Sequence, residues 1–89
     1  MNNIELENPE TNTQEILYHM ITEGSVSIMD FPYLSGFRTG VSELVRKYGI
    51  TVLSERKKGK NKFGNQYTYI EHHLVDKEQA SQVYKDLKN

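Results

Sequence analysis

Cysteine is absent from this chain, which excludes disulfides and thiol chemistry and leaves zinc without its commonest structural ligand. No apolar run approaches the ~20 residues that a membrane helix requires. The polar, acidic N-terminus lacks the basic and apolar blocks of a signal peptide, so a cytoplasmic protein is expected. Internal repeats and low-complexity tracts are also missing. There is no glycine-rich phosphate loop, no nucleophile elbow and no convincing acid/base pair. His72 and His73 are adjacent, so a strand would send them to opposite faces, and His19 is far away in the chain. Neither catalysis nor a metal or other cofactor is expected.

What is present is charge of one sign in one place. The 89 residues carry a net charge of only −1. Between Arg38 and Lys62, however, eight basic residues stand against Glu43 and Glu55, a local charge of +6 that leaves −7 for the remainder. A local field, more than net charge, is what attracts a phosphate backbone. A single domain is expected, close to the size at which a hydrophobic core alone supports a fold.

In chain order, residues 1–12 hold three glutamates, four asparagines and a proline, and read as a flexible acidic tail. Thr13 reads as the N-cap of a first helix through Glu23, with Ile16, Leu17, Met20 and Ile21 on one face and Gly24 closing it. Ser25-Val26-Ser27 reads as a short strand that pairs with a later hairpin. Ser27 can cap a second helix from Ile28, with Asp30 at its positive end. Pro32 makes that helix either short and irregular or later in starting, near Phe31. Phe31 and Leu34 should be buried, with a turn around Leu34-Ser35-Gly36.

The stretch that organises the rest is a third helix from Gly36 to Tyr48. Phe37, Val41, Leu44, Val45 and Tyr48 share an apolar face, while Ser35, Thr39, Ser42, Glu43 and Arg46 point away. Ser35 is the candidate N-cap and Gly49 the left-handed closing residue. Arg38, Thr39, Ser42 and Arg46 are residue types that meet phosphates and base edges. Ser35 and Lys47 flank them. Glu43 could accept from a cytosine amino group or pair with Arg46 or Lys47. Two strands follow, around Ile50–Leu53 and Gln66–Ile70, joined by a loop from Lys57 to Asn65. Arg56, Lys57, Lys58, Lys60 and Lys62 would supply backbone contacts there. Phe63 at its tip would fold back on the domain or touch the nucleic acid. Tyr67 and Tyr69 share one face of the last strand, Thr68 and Ile70 the other.

From Thr13 to about Leu74, the segments "GSVS", "IMDF", "VSELVRKYGITV" and "YTYIEHHL" resemble small winged helix-turn-helix proteins of bacteriophages and mobile elements. That resemblance implies an α+β fold: a three-helix core, a β-hairpin wing and, here, an added C-terminal helix. It implies a DNA-contacting third helix, a basic wing, and a role in transcription regulation, excision or replication control. The winged domain would span 13–75 and the C-terminal helix 76–89. Asp76 and Gln79 form a capping pair for that helix. Its stripe of Ala80, Val83, Tyr84 and Leu87 would pack on the first helix or pair with a second copy. Because the winged domain would be complete at Leu74, a homodimer is the favoured use. The expected function is sequence-specific duplex DNA binding. The alternatives are a protein-interaction module on the same scaffold or binding of RNA or single strands.

Overall fold

The stripe Ile16, Leu17, Met20 and Ile21 is almost wholly buried, and the helix bearing it lies at the centre of the core. The computed structural model describes residues 6–88. This first helix, α1, spans Asn12–Glu23. Its cap is Thr11, not Thr13: the Thr11 side chain accepts from the Gln14 N–H at 3.1 Å, satisfying one of the free donors of the first turn. Gly24 ends the helix at φ 86°, and its N–H reaches the Met20 carbonyl at 2.8 Å.

β1 (Ser25–Ser27) follows directly, with Val26 in the core. The second helix is reduced to one 3₁₀ turn, Ile28–Asp30, so the core does not contain the three α-helices expected before the wing. Ser27 and Asp30 close a reciprocal capping box around this turn, in which the Ser27 N–H donates to the Asp30 carboxylate at 2.7 Å. Phe31 then leaves helical geometry (φ −132°, ψ 61°). Pro32 disfavours a helical residue before it and has no N–H to continue the ladder. Phe31 nevertheless packs, its ring 6.1 Å from that of Phe37.

α2 spans Phe37–Arg46. Gly36 is its N-cap at φ 84° and no side chain caps it, so Ser35 lies one residue too early for the expected capping role. Phe37, Val41 and Leu44 are buried, whereas Val45 is exposed toward a groove described below. Gly40 lets α2 approach α1 closely: a Cβ there would stand 2.7 Å from Ile16 Cδ1. Helix geometry ends at Arg46. Gly49 (φ 71°) turns the chain so that the Ile50 N–H reaches the Leu44 carbonyl at 3.0 Å, and Ile50 enters the core.

β2 (Val52–Lys60) and β3 (Gln66–Leu74) form a long antiparallel hairpin, and β1 pairs antiparallel with the other side of β3. Nine residues at ~3.3 Å each make a ribbon about 30 Å long. The loop expected from Lys57 is therefore strand as far as Lys60, and only 61–65 turn. Lysine is a poor strand former, but β3 offers backbone partners along the whole run, Lys57 opposite Tyr69 and Lys60 opposite Gln66.

α3 (Lys77–Lys88) begins as expected, with the Asp76 carboxylate accepting from the Gln79 N–H at 3.0 Å. Its apolar stripe is filled within the chain. Ala80 and Tyr84 belong to the same core as α1, with the Tyr18 and Tyr84 rings 5.8 Å apart. The face expected to meet a second copy is thus covered intramolecularly. Nor are residues 6–12 the free tail expected for 1–12. Leu6 packs on the core, the Tyr84 hydroxyl donates to the Glu7 carbonyl, and the Lys88 ammonium reaches the Asn8 carbonyl at 2.6 Å. The rest of that expectation, residues 1–5, lies outside the described residues. No helix among the described residues is long and apolar enough to cross a membrane.

Leu44→Ala and Tyr84→Ala each empty a filled core position and should lower the unfolding free energy by about 2–5 kcal/mol in urea titrations. Leu53→Ala, at a position 68% exposed, should stay within about 0.5 kcal/mol of the parent. If Tyr84→Ala were as mild as Leu53→Ala, α3 would not share the core.

Candidate nucleic-acid interface

α2 and the hairpin enclose an open groove of about 620 Å³. Arg38, Ser42 and Arg46, spaced four residues apart, line it from the helix, and Ser54, Arg56 and Thr68 line it from the strands. The rest of its lining is largely apolar, from Ile28, Phe37, Val41, Val45, Val52 and Ile70, with Tyr69 and His72 among them. The His72 imidazole lies 3.1 Å from the Ser54 hydroxyl. Burial first, and the neighbouring His73 second, push its pKa below the ordinary value, which disfavours the charged imidazolium in the groove.

The pleat of the hairpin sorts the basic run into two faces. Successive side chains alternate, and residues directly opposite across strands share a face. Arg56, Lys58 and Lys60 stand opposite Ile70, Thr68 and Gln66, so the cations on this face meet no acid across the ladder. This face carries Arg56 into the groove and therefore looks toward α2. The other face holds Glu55 opposite Glu71, with Lys57 and His73 beside them. The Lys57 ammonium sits 2.8 Å from the Glu71 carboxylate. This pair holds the lysine above its usual pKa and the carboxyl below its own. The Lys57 charge is thereby held and compensated on the far face, apart from the other lysines.

Among the described residues, Arg38, Arg46, Lys47, Arg56, Lys58, Lys60 and Lys62 have no carboxylate partner. Arg38, Arg46, Arg56, Lys58, Lys60 and Lys62 are open to solvent to differing degrees, and Ser42 is half-buried. Thr39 and Ser35 are exposed outside the groove lining, Ser35 in the loop before the helix. Lys47 is also exposed, its ammonium 5.5 Å from the centre of the Tyr48 ring. Glu43 is half-buried and turned to α1, 3.5 Å from the Thr13 hydroxyl, with no ion pair to Arg46 or Lys47. It is not placed to meet a base.

At the hairpin tip the Asn61 side chain accepts from the N–H groups of Phe63 (2.9 Å) and Asn65 (3.0 Å), and Gly64 takes φ 82°. Phe63 does not fold back on the domain. It is 76% exposed, with the Lys62 ammonium 5.2 Å from its ring centre.

Sequence reasoning missed the groove, the division of the lysines by the pleat, and a cluster of Glu55, Glu71 and His73 on the far face. Extending the alternation of Val52–Leu53 through Lys60 would have exposed the second of these. The groove and the cluster depend on how separate segments are brought together, and no local pattern carries that. The chain matches no known family, no curated protein and no solved structure.

Asn61→Ala removes the acceptor of two backbone N–H groups and should cost about 1–2 kcal/mol in chemical denaturation. Phe63→Ala should leave stability within about 0.5 kcal/mol. A large loss from Phe63→Ala would mean that the ring packs on the domain after all.

Proposed function

We propose that this protein binds duplex DNA in the manner of a small winged helix-turn-helix protein, acting as a regulatory, recombination or replication accessory factor. The observation that carries the reading is the one-sided array of cations. Arg38 and Arg46 of α2, Arg56, Lys58 and Lys60 of the hairpin, and Lys62 at the tip lack acidic partners among the described residues. Cations without internal partners on a projecting ribbon suit a phosphate backbone. Ser42, between two arginines on α2, is a side chain that can donate to or accept from a base edge. On this reading the second helix of the motif has shrunk to the Ile28–Asp30 turn.

Duplex is favoured over single strands by the placement of the aromatic residues. Tyr67 and Tyr69, with ring centres 6.1 Å apart, lie on the face opposite Arg56, Lys58 and Lys60. A strand tracked by those lysines would find Phe63 at the tip, and Tyr69 where it borders the groove, but no run of rings along the cationic face. A protein partner is the second reading, favoured by the apolar lining of the groove, where Ile28, Val45 and Ile70 are exposed. Dimerisation through α3 is not part of either reading, because its stripe is already covered.

The test is a set of binding curves at several salt concentrations, using a site selected from random duplexes and a scrambled control. Replacing Arg56, Lys58 and Lys60 together by alanine should weaken binding to both, lowering the log–log salt slope by roughly 0.9 for each phosphate no longer neutralised. Lys57→Ala should leave the slope unchanged, because its charge is spent on Glu71 on the other face. Arg38→Ala or Arg46→Ala should cost about 1–3 kcal/mol on the selected site and less on the scrambled one if the helix reads bases. Equal losses from Lys57→Ala and the triple variant would remove the face assignment. No duplex binding by the parent protein would remove the DNA reading.

A further inference from the structure

We propose that Glu55, Glu71 and His73, on the far face of the hairpin, form a site for a divalent transition ion of the zinc type. Glu55 and Glu71 stand directly opposite each other across the β2–β3 ladder, a like-charge pair that destabilises a sheet and that, among the described residues, Lys57 alone compensates with one positive charge. His73, two residues beyond Glu71, projects to the same face. Its Nε2 lies 2.9 Å from the Glu55 carboxylate and 3.4 Å from that of Glu71. One donor atom from each of the three residues falls within 4.8 Å of the others.

Those separations suit a shared metal ion. Ligand bonds of ~2.0–2.1 Å in a tetrahedron place neighbouring donor atoms about 3.3 Å apart; the His73–Glu71 separation of 3.4 Å matches that, and the 2.9 Å His73–Glu55 hydrogen bond would open by a few tenths of an ångström to admit the ion. One imidazole nitrogen and two carboxylate oxygens are a donor set that zinc accepts. All three side chains are partly exposed, which leaves the remaining position to water. The Ser25 hydroxyl of β1, 3.4 Å from the second Glu71 oxygen, is placed to orient that carboxylate from outside.

The cation found beside the carboxylates is the Lys57 ammonium, 2.8 Å from Glu71 and 4.0 Å from Glu55. A metal ion and Lys57 therefore compete for the same negative charge, so removing the lysine charge should favour the metal. Binding would tie β2 to β3 in the middle of the hairpin. Because the site lies on the opposite pleat face from Arg56, Lys58 and Lys60, it stands or falls independently of DNA binding.

The experiment is calorimetric titration of the untagged full chain with zinc chloride at neutral pH, together with thermal melts with and without the ion. One saturable site is expected, with the melting temperature rising as zinc is added. His73→Gln should weaken the affinity more than about tenfold, since even the loss of an outer partner costs about 10–100-fold. Its melt without zinc checks that the variant folds. Lys57→Met, which removes the competing ammonium, should tighten binding. Absence of saturable binding, undiminished affinity in a folded His73→Gln, or no gain in Lys57→Met would each overturn the site.

Discussion

The central position of β3 constrains everything else. It pairs with β1 on one side and β2 on the other, and each pairing fixes which residues look toward the helices. Because strand side chains alternate, a slip of one residue would exchange the two faces completely. The fixed register places Val26 in the core, brings His72 to the lining of the groove, and directs His73 outward to Glu55 and Glu71. A buried residue on β1 therefore helps decide where charges lie far along β2.

The helices supply the other half of the arrangement. α1 is covered by α2 on one side and by α3 on another, with Gly40 allowing the close approach to Ile16 and Tyr84 filling the space beside Tyr18. With its buried face committed to α1, α2 turns Arg38, Ser42 and Arg46 toward the hairpin. Glu7 and Asn8 are held by α3 through Tyr84 and Lys88. Parts that look separable along the chain thus share one core. A domain of this size has little apolar area to divide between independent units.

Two features make the hairpin more than a charged loop. Its pleat separates a cationic face without ion pairs among the described residues from an internally compensated one, so a basic run is only partly available to a ligand. Its strands continue to Lys60 and Gln66, which carries the cations well away from the core. Gly59 takes part in this extension: the Tyr67 ring lies across it, so close that a Cβ would be 2.6 Å from the ring. That cross-strand cover replaces the packing that glycine lacks.

Sequence alone determined the order of the elements and most of the buried set. The apolar spacing of Ile16 to Ile21, the left-handed stops at Gly24 and Gly49, the strand at Val26 and the Asp76 cap are local signals, each legible within one or two turns. Phe37, Val41 and Leu44 were legible for the same reason, and so was the outward exposure of Arg38 and Arg46. Tertiary structure decided what depends on partners far apart in the chain. Pro32 announced trouble in the second helix, but only the packing of Phe31 on Phe37 shows how the chain resolves it. The stripe on α3 was equally legible whether it faced α1 or another molecule, since amphipathicity reports a buried face without naming what covers it. Lys57 and Lys58 look alike in the sequence. Pairing with β3 sends one to Glu71 and sets the other opposite Thr68, because strand side chains change face at every residue and Glu71 comes from the opposite strand.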